Sequence, residues 1–201
     1  MTDTFLDKVY AARSSDETRD VYDTWAATYE AEVGAQGYAT PGRCAEALAH
    51  FAPDPAEPLL DFGCGTGLAG LAFKLAGFRT IDGMDLSAQM IARAREKDVY
   101  RTLTQVEAED PVPTVYSLIA AVGVIGAGAA PISTLDTLMH ALPRAGLLVM
   151  SFNDHTLADP ANTARLNEWL DCGAARLKFC EHGEHLPGKK MKSTVYVIEK
   201  A

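Results

Sequence analysis

The chain has 201 residues, of which 48% are hydrophobic and 22% charged; that suits one globular domain with a sizeable core better than two. Its net charge of −9 argues against a nucleic-acid partner, because neutralising phosphates takes clustered Lys and Arg. No run is apolar for long enough to span a membrane, and the start has neither a basic nor an apolar segment, which predicts a cytoplasmic rather than a secreted protein.

In chain order, residues 5–35 read as helical, with Ser15 or Asp16 as a cap and Val21, Tyr22, Trp25, Ala26 and Tyr29 on one apolar face. Thr40-Pro41 predicts a further helix, with Thr40 capping and Pro41 in the first turn, and Ala45, Leu48 and Ala49 turned inward. The proline-rich stretch 53–58 ends it and leads into a short apolar strand at 59–62. From there strands and helices alternate. Leu68, Leu71, Ala72 and Leu75 form the apolar stripe of a helix that stops at Gly77. Residues 79–85 read as a strand tipped by Asp85, and Ser87 caps a helix carrying Met90, Ile91 and Ala94 inward. Strands follow at 100–107 and 116–124, the second nearly all apolar and so covered on both faces. A helix with Leu135, Leu138, Met139 and Leu142 precedes a wholly apolar strand at 146–152. Asp159-Pro160 starts a helix bearing Leu166, Trp169 and Leu170. Two last strands, 175–181 and 193–199, flank turn-rich residues that include His182, His185 and the basic cluster Lys189, Lys190 and Lys192. They predict an antiparallel hairpin with a solvated tip.

This alternation predicts an α/β fold: a Rossmann-like, doubly wound sheet of seven strands, mainly parallel, with a C-terminal antiparallel hairpin and helices on both faces. Ligands of such sheets sit at the carboxyl ends of the strands, where strand order reverses. Asp61-Phe62-Gly63-Cys64-Gly65-Thr66-Gly67 lies at the first of these ends. Its three glycines let the chain turn sharply and leave no Cβ between backbone and ligand. The helix behind them adds unpaired N–H groups. Gly65 to Gly70 also satisfies the G-x-G-x-x-G dinucleotide fingerprint, so a redox coenzyme competes as ligand, as does an empty turn. In that fingerprint the first glycine follows the strand directly, whereas here Gly63-Cys64 intervene. Asp85 can accept both hydroxyls of a ribose, which suits either cofactor.

The glycine string resembles the first motif of class I S-adenosylmethionine-dependent methyltransferases. That resemblance implies S-adenosylmethionine as cofactor, a small-molecule acceptor with a protein as the second option, and a last strand inserted beside the fifth. It places Asp61 near the methionine ammonium, with Gly63, Cys64, Gly65 and Gly67 in the loop against the ligand. Asp85 meets the ribose, Leu86 and Met90 pack on adenine, and Glu107 with Ala108 reads the adenine edge, where the family more often has Asp. Val122 and Gly123 pass the methionine moiety and the transferring methyl. The opening Tyr22-Asp23-Thr24-Trp25-Ala26-Ala27-Thr28-Tyr29 is similar to that of many small-molecule methyltransferases. It looks particularly like the Williams–Beuren-region methyltransferase-like group, which shares a Tyr-x-x-Leu third strand and a Leu-Pro-Gly tail hairpin. The resemblance implies a helical lid over residues 1–52 on a cofactor-binding core over 59–201, within one structural domain. Tyr22, Trp25 and Tyr29 would close over the cofactor, and aromatic faces attract a sulfonium by about 0.5–2 kcal/mol.

Two departures stand out. Tyr116-Ser117 replaces the acid usual near the start of the fourth strand. Residues 125–131 are almost without side chains where many members carry a His or an aromatic, which implies a roomy substrate mouth and assigns no general base. Asn153-Asp154-His155 is a polar cluster at the correct edge; it reads first as a helix-starting turn, with Asp154 or His155 as the second option for orienting an acceptor. The five histidines lack zinc spacing, so no metal is expected, and Cys44, Cys64, Cys172 and Cys180 read as free thiols. An NAD(P)-dependent oxidoreductase is disfavoured because no substrate domain remains. A non-catalytic S-adenosylmethionine-binding sensor or partner subunit is kept open by the bare loop.

Overall fold

The apolar runs at 116–124 and 146–152 pair side by side at the middle of a sheet, as strands buried on both faces must. In the computed structural model, which describes residues 15–126 and 128–201, β4 (Leu118–Ala121) and β5 (Leu147–Asn153) lie parallel with Leu118 opposite Leu147. On one side follow β1 (Leu59–Phe62), β2 (Ile81–Asp85) and β3 (Thr102–Gln105). On the other lies the hairpin β6 (Ala175–Leu186) and β7 (Met191–Lys200). The order is β3-β2-β1-β4-β5-β7-β6; β7 alone runs against the other six strands, pairing antiparallel with β5 and with β6, and the last strand lies beside the fifth as expected. Strand order reverses between β1 and β4, which opens a crevice at their carboxyl ends.

Alternate residues along each strand divide the core in two. Leu60, Ile119, Leu148 and Ile198 meet α6 (Ser133–Ala141) and α8 (Pro160–Asp171) through Leu135, Leu138, Met139 and Leu166. Leu59, Leu118, Val149 and Val197 meet α3 (Thr40–Phe51) and α4 (Leu68–Leu75) through Leu48 and Phe73. The leading residues therefore divide. α3, expected as part of the cover over residues 1–52, packs on the sheet. α1 (Ser15–Trp25) and α2 (Tyr29–Ala35) lie over the strand ends, joined by a turn that interrupts the single apolar face expected there. The helix expected over residues 5–14 lies outside the described residues.

Local capping is as read at Ser87, which accepts from Met90 N at 3.0 Å, opening α5 (Ala88–Arg95), and at Asp159, which accepts from Ala161 N at 2.9 Å. Thr40 differs. It sits inside α3 and its buried hydroxyl turns to His185 and Ser193 instead of capping. The stripe on α4 also differs: Leu71 and Leu75 are 38% and 81% exposed, and Ala69, Gly70 and Phe73 are buried instead. Gly70 lies under Tyr100, whose hydroxyl oxygen stands 2.3 Å from where a Cβ would be, and this contact sets the helix's rotation. The hairpin is longer than expected; β6 takes in His182 and His185 and leaves only the turn at Pro187–Lys189 and Lys190.

Tyr116, at the first departure, donates to Asp82 Oδ2 at 2.8 Å, and Arg101 Nε and Thr102 N donate to Oδ1 at 3.0 and 3.1 Å. Burial alone would raise Asp82, but the bonds from Arg101, Thr102 and Tyr116 outweigh it and hold the carboxyl below its usual range. Among the described residues no helix is long and apolar enough to cross a membrane. Cys44 and Cys64 are buried free thiols, and Cys172 and Cys180 are exposed ones.

The rotation of α4 makes a direct prediction for urea unfolding. Phe73→Ala is expected to cost about 3–5 kcal/mol, and Leu75→Ala to change stability by no more than about 0.5 kcal/mol. Equal losses would mean that the stripe, not Phe73, faces the core.

Candidate functional site

Beyond β1 the backbone takes left-handed geometry at Gly63, Gly65 and Gly67, with φ of 69°, 53° and 89°. The N–H groups of Gly63 and Cys64 donate to Met84 O at 2.8 and 2.9 Å, folding the loop over the end of β2. A Cβ on Gly63 would stand 2.5 Å from Val124 Cγ2, whereas the place of a Cβ on Gly65 is open space. Asp85 braces this loop: Oδ2 accepts Gly65 N–H at 2.8 Å and Oδ1 accepts Ser87 N–H at 2.9 Å. Burial raises the Asp85 carboxyl, and the Ser87 and Gly65 amides work against that rise.

The loop forms one wall of a cavity of about 600 Å³, within the range of small-molecule sites, about 300–1,000 Å³. Gly63, Cys64 and Gly65 line it from below. Asp85, Leu86 and Met90 line it from β2 and α5, Glu107 and Ala108 from beyond β3, and Val122 and Gly123 from beyond β4. Tyr22 and Tyr29 close it from α1 and α2. Twelve expected positions, scattered over a hundred residues of sequence, thus share one cavity.

Three expected residues stand off that wall. Asp61 is fully buried and its Oδ2 accepts the Tyr100 hydroxyl at 2.7 Å. Burial pushes its carboxyl up to about 7; the Tyr100 bond opposes this and the charge of Asp85 adds to it. Gly67 packs under α5, where a Cβ would meet Ala94 Cα at 3.3 Å. Trp25 is 1% exposed, in a cluster with Val33 and Leu186, its ring stacked 5.9 Å from Tyr22 and edge-on 4.7 Å from Tyr29. Trp25 lines a second, smaller cavity of about 60 Å³. Glu107 is on the wall, but its exposed carboxylate is held by Arg19 of α1 at 2.8 Å.

The structure adds residues that sequence reasoning missed. Arg19, Tyr38 and Thr66 line the large cavity, as do Ser133, Thr134 and Thr137 along one side of α6. The spacing of that last trio was available as a hydroxyl stripe opposite the buried leucines. Thr66 Oγ1 is buried with no hydrogen-bond partner among the described residues. Beyond β4, Ala130 N donates to Val124 O at 2.8 Å, and Ala129, Ala130 and Pro131 line the cavity. Asn153 caps α7 (Asp154–Ala158) by accepting from Thr156 N at 2.9 Å, while Asp154 accepts from Lys192 N at 2.8 Å and His155 is exposed. None of the three lines the large cavity. Tyr196 and Lys200 have reductase-like Tyr-x-x-x-Lys spacing but lie on β7, Lys200 donating to His140 O at 3.2 Å, and neither lines the cavity. Among the described residues no His, Cys, Asp and Glu group is placed to hold a metal.

The donor set fits S-adenosylmethionine. Bare main chain at Gly65, a carboxylate at the end of β2 and an unpartnered buried hydroxyl at Thr66 face one crevice at the reversal of strand order. Fold and site together are those of the class I S-adenosylmethionine-dependent methyltransferases. The chain belongs to the family described as Methyltransferase domain, which matches residues 37–194. It is 29% identical over 136 residues to human methyltransferase-like protein 27, covering 65% of this chain and 55% of that protein. The chain thus spans about half the length of that curated relative. Among solved structures it resembles the [4+2]-cyclase SpnF, with TM-score 0.70, 16% identity and coverage of 94% of this chain and 97% of that one. Magnesium protoporphyrin IX methyltransferase from Synechocystis with bound S-adenosylmethionine gives TM-score 0.57, 15% identity and coverage of 98% and 90%. An S-adenosylmethionine-dependent methyltransferase from Mesorhizobium loti gives TM-score 0.57, 16% identity and coverage of 77% and 96%. At these identities the structural likeness is one of fold.

Asp61 carries a pH prediction. Its folded pKa of about 7 lies above the unfolded value of about 3.9, so the folded state holds the extra proton between those values. Its contribution to stability therefore falls as pH rises from about 4 to about 7 and is constant above. In urea titrations the stability of wild type minus that of Asp61→Asn is expected to decline across that window. A difference that stays constant from pH 4 to 8 would show that Asp61 is ionised throughout.

Proposed function

We propose that this protein transfers a methyl group from S-adenosylmethionine to a small-molecule acceptor in the cavity at the carboxyl edge of its sheet. The observation that carries this reading is the bare Gly65 backbone braced by Asp85 beside a 600 Å³ cavity. S-adenosylmethionine, when bound, supplies an activated methyl on a sulfonium. In this reading Gly63, Cys64 and Gly65 leave main chain for the amino-acid tail, and Thr66 offers its hydroxyl. Asp85 takes the ribose hydroxyls, and Leu86, Met90, Glu107 and Ala108 surround adenine. Val122 and Gly123 flank the transferring methyl. Asp61, behind the loop, acts through Tyr100 and the local charge instead of by contact.

What the chain then contributes is alignment, which lowers barriers by about 7–11 kcal/mol when donor and acceptor are well oriented. The cover is α1 and α2. It is tied down by Arg19 to Glu107, by Asp23 to the Ser87 hydroxyl and by Glu30 to Lys97, all on elements that flank the adenosine end. Opening it exposes the apolar contacts of Trp25 with Val33 and Leu186. The acidic net charge supports an acceptor other than nucleic acid, and a cytoplasmic location remains part of this reading. Placement near the methyltransferase-like small-molecule group rests on the opening at Tyr22 to Tyr29 and on Leu186-Pro187-Gly188.

A second reading is cofactor binding without methyl transfer. It is favoured by the bare loop at 125–131, which offers no side chain to act on an acceptor.

Calorimetry separates these readings from a redox coenzyme: S-adenosylhomocysteine is expected to give binding heat and NAD none. Asp85→Ala is expected to lose about 1.5–3 kcal/mol of S-adenosylhomocysteine affinity. Heat with NAD, or an Asp85→Ala variant of unchanged affinity, would overturn the assignment. Methyl-labelled cofactor incubated with a metabolite extract is expected to label a product; binding without any labelled product would favour the second reading.

A further inference from the structure

A hydrogen-bond chain runs from Arg43 to His185 behind the strand ends. Arg43 has donors only; its Nη1 lies 3.1 Å from Ser193 Oγ, which is 2.9 Å from Thr40 Oγ1, which is 2.8 Å from His185 Nδ1. Ser193 and Thr40 are fully buried. Since Arg43 donates to Ser193, the Ser193 hydroxyl passes its hydrogen to Thr40, and Thr40 passes its own to His185. The reverse order would leave the buried Ser193 hydrogen without an acceptor, which costs about 1–3 kcal/mol. Nδ1 therefore accepts, and the neutral ring carries its hydrogen on Nε2. Burial keeps the ring neutral by lowering its pKa to about 4, with Asp154 opposing and Arg43 and His155 reinforcing.

His185 is 6% exposed, edge-on to Tyr38 at 5.3 Å, and lines the smaller cavity. No described residue takes its Nε2 hydrogen. That cavity shares Tyr22, Tyr29, Tyr38, Gly123 and Ala129 with the large one, so the two meet at the end of β4. The Tyr38 hydroxyl lies 2.9 Å from where a Cβ on Gly123 would be, a place only glycine leaves open. Charge narrows the choice of guest. Among the described residues, Asp85, Glu107, Glu109 and Asp110 line the large cavity with one cation, Arg19, which is paired with Glu107. An anionic guest would be repelled.

We propose that the methyl acceptor is an uncharged, planar molecule held among Tyr22, Tyr29 and Tyr38 where the two cavities meet, with only an oxygen reaching into the smaller one to accept the Nε2 hydrogen of His185. This rests on the methyl-transfer reading, which puts the transferring methyl beside Gly123. Thr40, Ser193 and Arg43 are positioning residues that fix the tautomer.

Phenol, uncharged and planar, serves as the probe. In protein with 15N-labelled histidine near pH 7, His185 is expected as the Nε2–H tautomer, and Thr40→Val is expected to mix the tautomers. Phenol titrated into the S-adenosylhomocysteine complex is expected to shift the His185 Nε2 resonance saturably, and benzene to leave it in place. His185→Phe is expected to bind phenol about tenfold more weakly, and His185→Gln, which restores a donor, to stay within about threefold of wild type. An Nδ1–H tautomer, no saturable shift with phenol, or a natively folded His185→Phe that binds phenol like wild type would overturn the proposal. S-adenosylhomocysteine affinity reads the underlying assignment separately: its loss in the wild type overturns methyl transfer, whereas the tautomer and phenol results decide the role of His185.

Discussion

One carboxylate holds the crevice open. Asp85 ends β2 and accepts two backbone N–H groups, one from the glycine loop after β1 and one from the start of α5. Few side chains link the two segments: the loop is mostly glycine, the turn is two residues long, and Cys64 alone of the loop packs on Ile91 and Ala94 of α5. Charge-assisted bonds of this kind are about twice as strong as neutral ones, so a group that is costly to bury is the brace for three chain segments. Asp85 also lines the cavity, so the proposed ribose reader is the residue that braces the loop.

The apolar layers around this point explain why the strand ends meet there. β1, β4 and β5 are buried on both faces, with Leu59 and Leu60, Leu118 and Ile119, and Leu147 and Leu148 serving opposite cores in turn. Their short lengths bring four loops to one edge, and the reversal of strand order leaves a gap there, with the glycine loop as one wall. Fold does not fix chemistry. A [4+2]-cyclase and a magnesium protoporphyrin IX methyltransferase both share this architecture with the chain, so what distinguishes them lies in the side chains around the shared fold.

What was legible in the sequence is what depends on neighbours along the chain. Ser87 and Asp159 cap as read because a cap bonds within three residues. The central strands declare themselves by unbroken apolar runs, and the glycine loop by its composition. What was not legible depends on contacts from far away. The stripe on α4 admits two rotations, and Tyr100, thirty residues on, selects the one that buries Phe73 and exposes Leu75. Thr40 has the composition of a cap, but α3 packs on the sheet beside β6 and β7, and His185 and Ser193 take its hydroxyl. His185 reads as part of a turn because a charged, glycine-containing stretch hides the continuation of β6. Glu107 sits where expected, yet Arg19, from a helix nearly ninety residues earlier, holds its carboxylate.

The most direct measurement is a crystal structure of the protein with S-adenosylhomocysteine. The account predicts the adenosyl group in the crevice, backbone at Gly63 to Gly65 against the ligand and the ribose hydroxyls on Asp85. Density for the ligand elsewhere, or a crevice filled by the protein's own side chains, would contradict it.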